Sequence, residues 1–418
     1  GLTGEDFITR SVDSSTWETM AATPSSKRWA VLGIAWAAFF GIAMSWYTMP
    51  TLQPQLLEMY DITPQQFRTA LTFPFLVAAV LSIPGGMLAD RLGIKRAASL
   101  GIGIAGAGFL VRSLGGGFLT LMGAMVTVGI GLGLIMPNLP KLVNVWFPPD
   151  ETGLATGIYN TGLMAGLSTG LIVAPYLPSW GTGNQIFGVV VLVLAAGFYL
   201  VVDDTPPGKE LPPTNLIEGL QRAVRSKNTW IAALAVFAGL SGMVAIQGEL
   251  PAGLLEVYGI DPATGGQIAS LITYGGVLGS LTIPTIATKL DRRKAVLVIA
   301  AVGFAVVEFP VWLTGDVTIL FVGTAVAGYL AGGALPIIME VPAWLPRVDS
   351  DPVEAQHVGG ASGLMTAMMN LGGGIGLPLI IGPIIGGWGY TIGFAAAMFI
   401  FTFQGTLGIF FDLPELPE

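Results

Sequence analysis

The chain has 418 residues, 53% of them hydrophobic and only 11% charged, with a mean hydropathy of +0.73 and a formal net charge of −8. Soluble domains carry roughly a quarter charged residues, so a water-soluble globular protein is excluded. The absence of Cys removes disulfide and thiol chemistry. A single His, His357 in an expected loop, leaves no His-based metal site.

Apolar runs near or above the roughly 20 residues that cross a bilayer recur twelve times. They lie near 29–49, 65–89, 96–114, 117–147, 152–177, 184–202, 229–250, 264–289, 294–314, 317–344, 358–385 and 387–411. None alternates with period two, so a closed barrel is disfavoured and the spans are helices. The many Gly and Pro fit that reading, because membrane helices use Gly for close approach and neighbours re-satisfy the backbone at Pro. A polar tail, 1–28, precedes the first span and lacks the basic-then-apolar order of a cleavable signal, so a retained first helix is expected. Six spans occupy 29–202. The polar stretch 203–228, DDTPPGKELPPTNLIEGLQRAVRSKN, separates them from six more in 229–411, and 412–418 form a second tail. Within it, Asn215 is a candidate cap, with Leu216, Ile217, Leu220 and Val224 on one helical face, as in a linker helix lying on the membrane surface. The fold expected is an all-α membrane protein with 12 transmembrane helices in two pseudo-symmetric six-helix lobes.

Of the 18 Lys and Arg residues, all but Arg68 and Arg112 fall on one side of this layout. The positive-inside rule makes that side cytoplasmic and puts both termini there, in the cytoplasmic (inner) membrane. The halves also echo each other, as transporter repeats do. Ile83-Pro84 matches Ile283-Pro284, Pro148 after Trp146-Phe147 matches Pro346 after Trp344-Leu345, and Gly153 to Gly157 matches Gly359 to Gly363.

Between the second and third spans the chain reads GGMLADRLGIKR, with Gly86, Leu88, Asp90, Arg91, Gly93, Lys95 and Arg96. This loop resembles the G-x-L-x-D-R-x-G-R-K signature of major facilitator superfamily transporters, with Ile94 where a basic residue is usual and a degenerate second copy around Asp291 to Lys294. The resemblance covers the whole chain. It implies that Asp90 latches the lobes near the amino end of the eleventh span when the site faces outward, which a carboxylate at a helix N-terminus favours. The run 138–162 is similar to the fourth-to-fifth span junction of nitrate/nitrite porter-like and organic-anion porter-like members. Nitrate porters place arginines where this chain has Ser82 and Thr282, which argues against nitrate itself. Proton-driven drug exporters carry an arginine in the fourth span, absent around Thr127, and a G-P-x-x-G-G run in the fifth; here Gly382-Pro-Ile-Ile-Gly-Gly387 falls in the eleventh.

Ionisable residues inside apolar runs are costly and mark functional sites. Arg68 and Glu249 stand at the outer level of the second and seventh spans, and Lys141 and Glu340 at the inner level of the fourth and tenth. These are candidate alternating gates, one pair formed while the other is broken, with snorkelling to the headgroups as the alternative. Arg112 and Glu308 hold corresponding outer positions of the third and ninth spans and are expected in interior packing or at the interface, Glu308 being also a proton-coupling candidate. Polar side chains at mid-depth, Tyr47, Asn138, Tyr159, Asn160, Gln247, Tyr274 and Asn370, are candidate cavity residues, each with helix-to-helix bonding as its alternative. Trp46 and Trp344 are expected as interface anchors. No GxxxxGK[ST], G-x-S-x-G or metal-ligand cluster occurs, so no enzyme, cofactor, metal or nucleic-acid partner is expected. The sequence reads as a monomeric secondary transporter of a small organic anion or similar metabolite, with or without protons. The alternatives are export of amphipathic or cationic compounds and a non-transporting receptor-like protein.

Overall fold

The computed structural model describes residues 27–148, 151–205, 216–348 and 350–412. Expectations that fall on 1–26, Lys209, Asn215 or 413–418, and on the side chains of Leu216 and Ile217, lie outside the described residues.

The described residues are helical, with no strand among them. In chain order they are α1 (Lys27–Trp46), α2 (Gln53–Tyr60), α3 (Pro64–Leu92), α4 (Ile94–Arg112), α5 (Phe118–Ile135), α6 (Leu139–Trp146), α7 (Thr152–Val173), α8 (Trp180–Val201) and α9 (Leu216–Arg225). There follow α10 (Lys227–Tyr258), α11 (Pro262–Lys289), α12 (Arg293–Thr314), α13 (Val317–Met339), α14 (Val341–Trp344), α15 (Val358–Ile375), a π-helical turn (Gly376–Ile381), α16 (Gly382–Trp388) and α17 (Tyr390–Thr406). Side-chain caps set several starts. Thr63 and Gln66 form a reciprocal capping box on α3, and Ser179, Ser226, Asp261 and Asp316 cap α8, α10, α11 and α13.

Eleven of the expected twelve spans are long and apolar enough to cross a membrane. The exception, α7, has the length, but its five Gly, four Thr, Ser168, Tyr159 and Asn160 dilute its apolarity. That dilution has a packing cause, since its small residues let α1 approach: a Cβ on Gly166 or Gly170 would lie 2.5 Å from the Phe40 or Met44 carbonyl oxygen. The fourth expected span, 117–147, is broken at Met136–Asn138 around Pro137, and the first ends at Trp46, ahead of a turn and α2.

Helices α1 and α3 to α8 pack mainly on one another, as do α10 to α13, α15 and α17, so the chain forms two lobes. Even passage counts bring Lys27 and Asp412 to the same side as the loop after α3, called here the basic side. The linker helix α9 does not lie free: it packs on α15, with Gly219 and Ala223 buried and Val224 exposed. Of the expected apolar face, Leu220 is half-buried and Val224 faces away from α15. The backbones meet so closely that a Cβ on Gly360 would sit 2.0 Å from the Gly219 carbonyl carbon.

Candidate functional site

Two seams join the lobes, and both lie on the side opposite the basic one. In the first, α3 meets α15, the π-helical turn and α16. Thr72 Oγ1 donates to the Gly374 carbonyl at 3.1 Å, and Gln65 Nε2 donates to the Pro378 carbonyl. In the second, α7 meets α11: Ser168 donates to the Ser270 carbonyl at 3.1 Å, and Thr169 and Tyr274 share a hydroxyl hydrogen bond of 3.0 Å. All these partners come from residues 65–76, 168–176, 266–274 or 373–382, the halves of their helices farthest from the basic side.

Toward the basic side the same helix faces separate. On α7 one stripe runs through Gly153, Gly157, Asn160, Met164, Ser168 and Leu171. On α15 and the π-helical turn the same spacing gives Gly359, Gly363, Thr366, Asn370, Gly374 and Leu377. Ser168 and Gly374 touch the other lobe, whereas a Cβ added at Gly153, Gly157, Gly359 or Gly363 would meet nothing within 4 Å. Each stripe is thus packed on the other lobe at its seam end and has open space beside its glycines toward the basic side.

Cavity candidates divide accordingly. Asn160 is exposed on the α7 stripe, and Tyr274 is partly exposed at the second seam. Asn370 lies one turn below the first seam, fully buried, its Nδ2 donating to the Thr366 carbonyl at 3.0 Å and its Oδ1 unpaired. The other four are buried within their own lobes. Tyr47 is buried beside Trp46, ring centroids 5.5 Å apart. Asn138 ties the α5–α6 break to α3, donating to the Gly85 and Leu134 carbonyls at 3.3 and 2.7 Å. Tyr159 sits at a small apolar crevice with Leu32, Leu142 and Trp146, and Gln247 donates to Thr273 within the second lobe. Their polarity reads as cavity chemistry in sequence because mid-span depth is visible there and helix facing is not.

The expected charge pairs behave differently. Arg68 and Glu249 meet across the first seam in a two-pronged ion pair, Nε to Oε1 at 3.1 Å and Nη2 to Oε2 at 2.9 Å. Both are buried, Glu249 completely. The set is completed by Tyr390, donating to Glu249 at 3.2 Å, and by the Gly382 carbonyl, 3.4 Å from Arg68. Tyr390 was invisible to sequence reasoning, being one aromatic at the start of an apolar run. Lys141 and Glu340 do not pair. Lys141 donates to Asp90 at 2.5 Å and to the Gly86 carbonyl at 3.1 Å, while Glu340 lies 3.9 Å from Arg293, whose guanidinium covers Trp344 at 4.9 Å. Each inner charge is answered within its own lobe.

The loop motif has a partner that the sequence left in the linker. Gly93 adopts φ +89°, and a Cβ there would come 2.3 Å from an Asp204 oxygen. Asp204 accepts from the Lys95 backbone N–H at 2.7 Å, capping α4. Asp203 binds Lys27 and lies 3.6 Å from Lys95. The hydrogen bond from Lys27 holds the Asp203 carboxyl below its usual range, helped by the charges of Lys27 and Lys95. Arg91 and Arg96 are exposed. Asp90 is not at the start of α15. Trp46 and Trp344 are buried rather than interfacial, Trp46 donating to the Leu71 carbonyl at 2.9 Å. His357, expected in a loop, is buried 3.5 Å from Glu218 of α9.

Comparison with known proteins bears on this architecture. The sequence profile of the Major Facilitator Superfamily matches residues 34–252. The chain is 26% identical over 309 residues to the cyanate transport protein of Escherichia coli (strain K12), covering 69% of this chain and 77% of that protein. It is 24% identical over 356 residues to a probable nitrate transporter of Staphylococcus epidermidis, covering 79% and 82%. A 2-nitroimidazole transporter of Escherichia coli (strain K12) is 27% identical over 255 residues, covering 59% and 63%. A crystal structure of a bacterial homolog of the human lysosomal transporter Spinster superposes with a TM-score of 0.72 at 16% identity, covering 92% of this chain and 96% of that one, a likeness of fold.

Proposed function

The chain belongs to the Major Facilitator Superfamily, and we propose that it is a secondary transporter that moves a small organic anion or similar polar metabolite through its central cleft by alternating access. The observation that carries this reading is the one-sided closure: two seams on one side, open helix stripes on the other. The relatives named for cyanate and nitrate favour a small anion. The cations flanking the path, Arg68 and Lys141, are each already met by a carboxylate. Such a site suits a solute of at most one negative charge, recognised mainly by Asn160, Tyr274 and neighbouring hydroxyls.

In this reading the basic side faces the cytoplasm, as the Lys and Arg asymmetry favours, and the cleft is open inward. Arg68 and Glu249 hold the outer side shut. On inward closure Lys141 exchanges Asp90 for Glu340, and Asp90 is released toward the start of α15. The lobes rock as a monomer in the cytoplasmic membrane. The relative named for 2-nitroimidazole favours a second reading, export of neutral or amphipathic solutes, with which the amide and hydroxyl lining also agrees.

Thermal unfolding of the purified protein with cyanate, nitrate, short carboxylates, 2-nitroimidazole and lipophilic cations tests the choice. A ligand at 100 times its dissociation constant adds about 2.7 kcal/mol. Stabilisation by small anions that is lost in Asn160→Ala supports the lead reading. Stabilisation only by 2-nitroimidazole or cations overturns it in favour of export.

A further inference from the structure

A proton can drive a conformational change only if some group holds it more tightly in one conformation than in the other. A carboxyl whose neighbours all belong to one lobe moves with them and keeps its surroundings. Glu308 is of that kind: buried on α12, it accepts from Thr324 of α13 at 3.1 Å, its other oxygen is unpaired, and both helices belong to the second lobe. Glu249 is different. Its ion-pair partner, Arg68, belongs to the first lobe, while Tyr390, its hydroxyl donor, belongs to the second. When the first seam opens, Arg68 leaves with α3, and Glu249 faces entering water with Tyr390 alone. A carboxylate stripped of its guanidinium beside apolar walls gains much from neutralisation.

Resting on the alternating-access reading above, we propose that Glu249 is the proton-linked residue of this transporter. It takes one proton from water on the side opposite the basic one while Arg68 is withdrawn, and returns that proton to water as the two-pronged pair re-forms. Only the carboxyl O–H bond forms and breaks, and Arg68 stays cationic throughout. Few other ionisable groups face the site. Arg68 comes from α3, Tyr390 from α17, and Glu256 lies two turns along α10 itself. The stretch of α11 packed there, 262–273, carries none, and neither do α15, the π-helical turn and α16.

The chain has no native Cys, so spin labels at Met59→Cys and Trp388→Cys, both exposed and in different lobes, report the opening of this side in the full chain in lipid. Lowering the pH from 8 to 5 is expected to raise the long-distance population by up to about tenfold per pH unit, the limit for one linked proton. Glu249→Gln should show a raised population that no longer responds to pH, while Glu308→Gln should respond as the wild type does. A pH response retained in Glu249→Gln, or lost in Glu308→Gln, overturns the proposal. If Glu249→Gln does not fold, Tyr390→Phe serves: it removes one donor and should move the midpoint while leaving the slope, and an unmoved midpoint counts against the proposal. A wild-type distance that ignores pH also overturns it. Proteoliposome uptake of cyanate or 2-nitroimidazole persisting in that case would leave the transport reading standing.

Discussion

Arg112 shows what a single charge does inside this bundle. It is fully buried, donates to Asn184 Oδ1 at 2.6 Å and to the Ser45 carbonyl at 2.5 Å, and lies 4.7 and 4.9 Å over the Trp180 and Phe109 rings. Two neutral acceptors and two aromatic faces thus stand where a carboxylate would be expected. Nearby, Trp180 donates to the Tyr60 hydroxyl, which donates to the Arg112 carbonyl, so α2, α4 and α8 are tied at one corner. Arg112→Leu should therefore destabilise the first lobe by about 2 to 4 kcal/mol, since two buried acceptors lose donors at roughly 1 to 3 kcal/mol each, offset by no longer burying a charge. Thermal unfolding in detergent measures this, and an unchanged midpoint would show the network to be dispensable. The interior placement of Arg112 was legible in the sequence from depth alone. Its partners were not, because Asn184 and Ser45 lie on helices distant in sequence.

At the level of elements, the seams depend on small residues at crossings. A Cβ on Gly374 would lie 2.5 Å from the Leu76 side chain and 3.1 Å from its backbone nitrogen, so α15 can reach α3 only without a side chain there. Gly374→Leu should hold this seam apart. The expected result is several-fold faster thiol labelling of a Cys placed at Thr72, a position fully buried in the closed seam. Gly363→Leu, on the same stripe but in open space, should leave that rate unchanged, and equal rates in the two variants would remove Gly374 from the account. The linker offers the same lesson in reverse. Its apolar pattern pointed to Leu216, Ile217, Leu220 and Val224; Val224 is exposed, and Gly219 and Ala223 are buried where the backbone closes on Gly360. The break at Pro137 and Asn138 was likewise hidden in a continuous apolar run, since Pro is tolerated in membrane helices and only packing decides whether it bends or interrupts one.

Across the whole molecule, what matters is which charges meet over the lobe boundary and which are held within a lobe. Arg68 and Glu249 meet; Lys141 and Glu340 are retained by Asp90 and Arg293. If the lobes rock, a cysteine pair at Lys141→Cys and Glu340→Cys should cross-link under oxidation during turnover, stop uptake, and release it on reduction. Failure to cross-link in an actively transporting preparation would mean that these positions never meet. The helical character of the spans, eleven of the twelve expected, and the uneven placement of Lys and Arg were determined by the sequence, because bilayer thickness and the cost of burying charge act on each segment independently. Tertiary structure decided which polar side chain faces a neighbour and which is exposed, that Tyr390 joins the Arg68 and Glu249 pair, and that only one of two equally plausible ion pairs is made. Those choices depend on helix rotation and on the position of one lobe against the other, and both arise from contacts between segments hundreds of residues apart that no local pattern encodes.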